Sequence, residues 1–326
     1  MYKLDKDFVK GNVQKASLRK AFGHGLAGAA KNNDKVVALT ADLGSSVGLG
    51  EFHEQLPERF IETGIEEQNL VTLASGMAHA GKIPFVAAYA AFSPGRNWEQ
   101  IRTTICLNNQ PVKIVGSHTG VNVGPDGATH QMLEDIALMR VLPNMTVIAP
   151  GDAVEAEKVA QALVGYDHPA YVRLPRADFP TFSADDAPFE VGKAYVVRPD
   201  DEASITIVST GSMTGNAMLS ANRLAEQGIN ASVVHAPTIK PLDRETILRE
   251  VGKNSICVTV EEHQATGGLG SAVAELLLEA GVTPRIFKRL AINDKYGQSG
   301  TCDELLSYYK LDVEGITNQI MTLLNQ

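Results

Sequence analysis

The sequence predicts an α/β protein of two domains, each a mostly parallel sheet flanked by helices. Three observations carry that expectation. The chain has 326 residues, more than a single layer sandwich uses and about right for two α/β domains. Short β-branched apolar runs alternate with segments of helical period along nearly its whole length. The alternation breaks once, at PRADFPTFSADDAP (residues 175–188), where Pro, Asp and Ser crowd together as in a linker. The expected domains are therefore residues 1–185 and 190–326.

The elements follow in order. Residues 15–30 (KASLRKAFGHGLAGAA) read as a helix, and residues 36–39 as a strand ending in the polar loop TADLGSS. Such a loop after a buried strand is where open α/β sheets place ligands. A helix follows Glu66. Strands are expected at 83–88, 112–117, 146–149 and 170–174, with helices at 95–108, 132–140 and 153–164. Beyond the linker, strands are expected at 204–209, 231–235, 255–260 and 285–290. Helices are expected at 215–227, 243–251, 270–280, 302–309 and 316–324. No solenoid period or low-complexity tract interrupts the pattern.

Composition narrows the function classes. Hydrophobic residues make up 44% and charged residues 21%, which suits a soluble globular enzyme. The net charge of -9 argues against binding nucleic acid, where affinity comes from basic residues on phosphate. Cys106, Cys257 and Cys302 are scattered, without metal-type spacing, as in a reduced, cytoplasmic protein. The first ten residues, MYKLDKDFVK, lack an apolar signal core, and the longest apolar run, 83–92, is too short to span a bilayer.

The candidate chemistry is organised around FIETGIEEQNLVTL, residues 60–73. Glu66 and Glu67 follow Gly64 and lead into an apolar helical pattern through Val71, Ala74 and Ala78. Spacing alone leaves two readings open, a partner for the helix dipole or a carboxylate kept for proton chemistry. A second stretch, SHTGVNVGPDGATHQ (residues 117–131), sets His118, Asp126 and His130 among glycines. Packing has little use for that set. It suits hydrogen bonding to a polyhydroxylated substrate and proton transfer near neutral pH, with a metal site or a solvated loop as the alternative. The histidines lack i, i+4 spacing and no HExxH occurs, which speaks against zinc. Arg176 stands where a strand ends and suits a phosphate clamp, while Arg173 suits a salt bridge. Ser45, Ser46 and Arg19 are further phosphate candidates. Tyr89 and Phe92 fit a core as readily as a cofactor platform. The Gly-rich turn in EEHQATGGLGSAVAEL (261–276) is not GxGxxG and reads as helix–strand packing.

Together these stretches resemble the transketolase family over nearly the whole chain. GIEEQ is similar to the family's helix start bearing the glutamate that activates thiamine diphosphate, and nominates Glu67, not Glu66. SHTGVNVGPDGATHQ is similar to the substrate loop, the most specific match, and nominates His118, Asp126 and His130. IPFVAAYAAF resembles the segment whose aromatic residue stacks on the aminopyrimidine, nominating Phe92 with Tyr89 nearby. LPRADFP nominates Arg176, ADLGSS Ser46 and SLRKAF Arg19 as sugar-phosphate contacts. The resemblance implies catalytic roles for Glu67, His118 and His130, and transfer of a two-carbon ketol unit from a ketose phosphate to an aldose phosphate, as in the pentose phosphate pathway.

The departures carry implications too. Full-length family members hold the cofactor's diphosphate and Mg²⁺ through a Gly-Asp-Gly motif in an N-terminal domain. Gly151-Asp152-Ala153 is not that motif. The resemblance therefore implies a split enzyme, with thiamine diphosphate and Mg²⁺ completed by an N-terminal partner subunit in an α2β2 assembly. 1-Deoxy-D-xylulose-5-phosphate synthase has a similar GADGxTHQ loop but lacks the counterpart of His118. The β subunits of 2-oxoacid dehydrogenases lack DGxTHQ. A ketolase for another sugar and a non-catalytic partner subunit are the remaining alternatives. The second domain is expected to form dimers, with His263 as a packing or interface residue.

Overall fold

The computed structural model describes residues 2–324. It contains two mostly parallel sheets. The larger has seven strands in the order Thr238–Lys240, Thr146–Ile148, Ala170–Pro175, Lys113–Thr119, Ile83–Tyr89, Val36–Thr40 and Phe60–Glu62. Only the pairing at the Thr238–Lys240 edge is antiparallel. Val36–Thr40, Lys113–Thr119 and Ala170–Pro175 are buried at every residue. Sheets covered by helices on both faces have strands of this kind, and they read as mainly apolar runs interrupted by buried polar residues such as Lys113 and Arg173. The smaller sheet runs Ile286–Ile292, Ile256–Gln264, Ile205–Ser209, Ala231–His235 and Tyr195–Arg198, with the last strand antiparallel.

Several elements depart from the expectation. The helix expected at 95–108 begins at Trp98, runs three residues, and continues as a π-helix over Ile101–Cys106. Asn97 is held outside it, since its side-chain amide donates to the Glu67 carbonyl at 2.8 Å and to Ser93 Oγ at 3.1 Å. Residues 175–188 are not a loose linker. Phe179–Pro180 pairs with Lys15–Ala16, and Phe179, Phe182 and Ala187 are buried. Asp152 holds that segment: Oδ2 accepts from the Phe182 and Ser183 amides, while Oδ1 accepts from Glu155 N and caps the Ala153–Val164 helix. That is the work of Gly151-Asp152-Ala153 here.

The two sheets are tied together. Thr238–Lys240 follows a strand of the smaller sheet yet forms the edge of the larger one. Beside it, buried His235 and Glu155 pair across the same boundary at 2.7 Å. The Gly-rich turn before the Leu269–Glu279 helix is a packing device, as expected. Its N-terminal amides Leu269 N and Gly270 N donate to the buried Glu261 carboxylate at 2.7 and 2.8 Å, so the chain's own acid fills the place an anion would take. His263 is likewise fully buried, with Nδ1 2.7 Å from the Gln264 carbonyl. No helix among the described residues is long and apolar enough to cross a membrane.

Candidate functional site

The nominated residues gather at one end of the larger sheet, the carboxyl end of its parallel strands. Tyr89 ends one strand, His118 lies near the end of its neighbour, and Arg176 follows the next. Ser46 lies in the loop after Val36–Thr40, and Glu67 starts the Glu67–His79 helix after Phe60–Glu62. Parallel strands leave their crevice at this end, because the crossovers there diverge.

The structure separates the two adjacent glutamates. Glu66 precedes the helix with its side chain exposed, where Oε2 accepts from Asn69 at 3.2 Å. Glu67 is only 2% exposed. Its Oε2 accepts from Arg96 Nη1 at 3.1 Å, and Oε1 has no donor among the described residues. Arg96 lies over the Phe92 ring, 5.0 Å from its centroid. Phe92 stacks near-parallel to Tyr89 at 6.1 Å and meets His130 edge-on at 5.5 Å. Tyr89 in turn stacks on His118 at 3.7 Å. A continuous band thus runs from the Glu67 carboxylate through Arg96, Phe92 and Tyr89 to both histidines.

His118 is aimed by a local irregularity. The pairing of its strand with Ala170–Pro175 shifts between Gly116 and Thr119, and His118 takes φ +56. A non-glycine residue in that region is strained, and bulges with such strain collect beside functional sites. The ring is 3% exposed, with Nδ1 2.8 Å from Ser117 Oγ. Burial, and then the charges of Arg19, Arg176 and His130, push its pKa down to about 3. A neutral imidazole suits hydrogen bonding rather than the proton carriage near neutral pH that the residue type suggests. The His118 ring resonances are therefore expected to stay flat from pH 5 to 8 in an NMR titration. A midpoint near 6.5 would contradict the described surroundings. His130 is more open, with Nδ1 2.9 Å from Thr129 Oγ1.

The three sugar-phosphate contacts that the resemblance nominates, Arg19, Ser46 and Arg176, converge, but not as three open donors. Arg19 Nη1 donates to the Ser46 carbonyl and Nη2 to the Arg176 carbonyl at 2.8 Å, while Nε is buried without an acceptor among the described residues. Burial and the neighbouring Arg176 charge lower its pKa, with Tyr89 and Asp178 opposing. Arg176 keeps its guanidinium partly exposed, bonded to the Val123 carbonyl and 3.9 Å from Asp126 Oδ1. Arg19 thus fixes the backbone of both other candidates, and Arg176 presents the accessible charge.

Three residues of the site belong to none of the nominated sets. Arg96 comes to Glu67 through the turn at residues 93–97. Asn122 and Glu262 form a buried pair between the histidine loop and the smaller sheet. Burial pushes Glu262 up to about 7, with Arg173 and the Asn122 donors opposing. An acid inside the apolar run ICVTVEEHQ is the one clue the sequence holds to this pair.

Thiamine diphosphate can be tested against these groups. A buried carboxyl with an oxygen lacking a donor among the described residues, joined through Arg96 to an aromatic ring, fits the aminopyrimidine, which offers a ring nitrogen able to share a proton and a flat face. Among the described residues no cluster of three or more His, Cys, Asp or Glu side chains is placed to hold a metal.

Comparisons with known proteins point to one family. The family model for the transketolase pyrimidine-binding domain matches residues 14–181, and that for the transketolase C-terminal domain matches residues 192–316. A Methanocaldococcus jannaschii chain named as a transketolase C-terminal section is 42% identical over 306 residues, 93% of this chain and 95% of that one. The 1-deoxy-D-xylulose-5-phosphate synthase 2 of Geobacter sulfurreducens is 39% identical over 97% of this chain, which spans 50% of that protein's length. A split-gene transketolase solved as an inactive β4 tetramer superposes with a TM-score of 0.87 at 38% identity, covering 95% of this chain and 98% of the other. On these matches the chain belongs to the transketolase family, of which it carries the pyrimidine-binding and C-terminal domains.

Proposed function

We propose that this chain is the pyrimidine-binding and C-terminal subunit of a split transketolase. It transfers a two-carbon ketol unit between sugar phosphates, together with an N-terminal subunit that holds the diphosphate and Mg²⁺. The single observation that carries the reading is the buried Glu67 carboxylate, joined through Arg96 to Phe92 and so in one band with His118 and His130. When bound, thiamine diphosphate supplies the stabilised carbanion that carbon–carbon cleavage requires.

This chain's residues do the rest. Glu67 Oε1 would hold a proton in a hydrogen bond with the pyrimidine N1′ position, and Phe92 would orient the ring. Neutral His118 donates or accepts at the donor sugar's hydroxyls, and His130, from the open side, serves the oxygen that gains charge. Asp126 accepts from a sugar hydroxyl and so favours one configuration. Arg176, held in place by Arg19 and backed by Ser46, anchors the terminal phosphate away from the reacting bond, where binding serves orientation.

Turnover of xylulose 5-phosphate with ribose 5-phosphate, with cofactor and Mg²⁺, tests the reading on this chain, a Gly-Asp-Gly-bearing partner, and their mixture. Activity is expected only in the mixture. A stable but inactive complex that instead condenses pyruvate with glyceraldehyde 3-phosphate would shift the assignment to a synthase. Activity confined to another donor sugar would mark a specialised ketolase. Arg176→Ala is expected to raise KM for phosphorylated donors roughly ten- to a hundredfold, with little change for hydroxypyruvate. Equal losses with both donors would remove the phosphate role.

A further inference from the structure

The second domain reaches the histidine loop through a buried polar hub. Glu262 Oε1 accepts from the Asn122 backbone amide at 2.8 Å, and the Asn122 side-chain amide donates to Oε2 at 3.0 Å. The same amide group donates to the Thr119 carbonyl. The other end of that side chain, Oδ1, accepts from the backbone amides of Arg176 and Ala177 at 2.7 and 3.1 Å. Asn122 therefore joins three segments: the loop bearing His118, the turn bearing Arg176, and the Ile256–Gln264 strand. The fit is close. Gly120 has φ +80, and a Cβ there would lie 2.4 Å from the Glu262 carboxyl carbon. Arg173 Nη2 steadies the other side by donating to the Glu262 carbonyl at 2.7 Å.

We propose that Glu262 is a positioning residue for substrate: acting through Asn122, it locks the histidine loop and the Arg176 turn into one unit. This rests on the transketolase reading of those two segments. It gives the C-terminal domain a part in donor binding beyond any role in assembly. A carboxylate is required because all the facing groups of Asn122 are donors. An amide in its place turns an N–H against an N–H.

The test is made on the assembled enzyme. Glu262→Gln is expected to raise KM for a phosphorylated donor about tenfold, the worth of one buried hydrogen bond to a charged group, with kcat within about twofold. Amide exchange at Arg176 and Ala177 in this chain should be about tenfold faster in Glu262→Gln. An unchanged KM or unchanged exchange would overturn the role. If the wild-type complex shows no transketolase turnover, the functional reading fails by itself, and exchange still decides whether Glu262 locks the two segments.

Discussion

Glu67→Ala is expected to lower turnover of the assembled enzyme by about 10²–10⁴-fold, the usual worth of a positioned proton-transfer group. The fold should survive. Glu67 is buried, but its carboxylate's one partner among the described residues, Arg96, is 54% exposed and can turn to solvent when the carboxylate is gone. Glu67→Gln is the sharper variant. It keeps the volume and presents an amide, which cannot exchange a proton with the pyrimidine ring nitrogen. Circular dichroism and the urea midpoint should match the wild type in both variants while the rate falls. Glu66→Ala should be close to silent, since that side chain is exposed at the helix start. Near-normal turnover in Glu67→Gln, or an equal loss in Glu66→Ala, would remove the central assignment.

The largest stability effect is expected at Asp135. Asp135→Ala should destabilise the chain by about 3–5 kcal/mol, because it leaves a buried charge uncompensated. Asp135 is fully buried, and its Oδ2 accepts from Arg173 Nε and Tyr171 Oη, each at 2.8 Å. Burial alone would lower the Arg173 pKa, but the carboxylates of Asp135 and Glu262 outweigh it and leave it raised. Without Asp135 the guanidinium keeps its charge with no partner beside Nε, and the Tyr171 hydroxyl loses its acceptor. Tyr171→Phe removes one donor and no charge, and should cost about 1 kcal/mol. The comparison is read from urea midpoints at constant m. Equal small shifts in both variants would mean that water reaches Arg173 and that the pair is not sealed. Arg173 also steadies the Glu262 carbonyl, so Asp135→Ala should weaken donor binding as well.

Much of this protein is legible in its amino-acid sequence. Parallel strands covered on both faces are mainly apolar, so residues 36–39, 112–117 and 170–174 stand out as strands despite Lys113 and Arg173. The same kind of reasoning marks GIEEQ and the loop from His118 to His130, because acids, histidines and glycines crowded together are not packing material. Sequence also separates the helix–strand packing turn at residues 261–276 from a dinucleotide site.

Other features depend on neighbours that are distant in the chain. Residues 175–188 resemble a linker because Pro, Asp and Ser are frequent there. Whether Phe179 and Phe182 are buried depends on Asp152 and the Lys15–Ala16 strand. The edge strand Thr238–Lys240 is too short to carry a period, and its partner belongs to the other domain. Residue type alone misplaces the titration of His118, since the bulge that buries it and the arginines beside it are tertiary facts. The sequence by itself determined which residue types make the site and how the strands alternate, since both are set by local chemistry and period. Only the tertiary structure decided which glutamate is buried, which arginine stays accessible, and that Glu262 reaches Asn122. Each of those is set by what surrounds a group, and the surroundings come from segments far away in the chain.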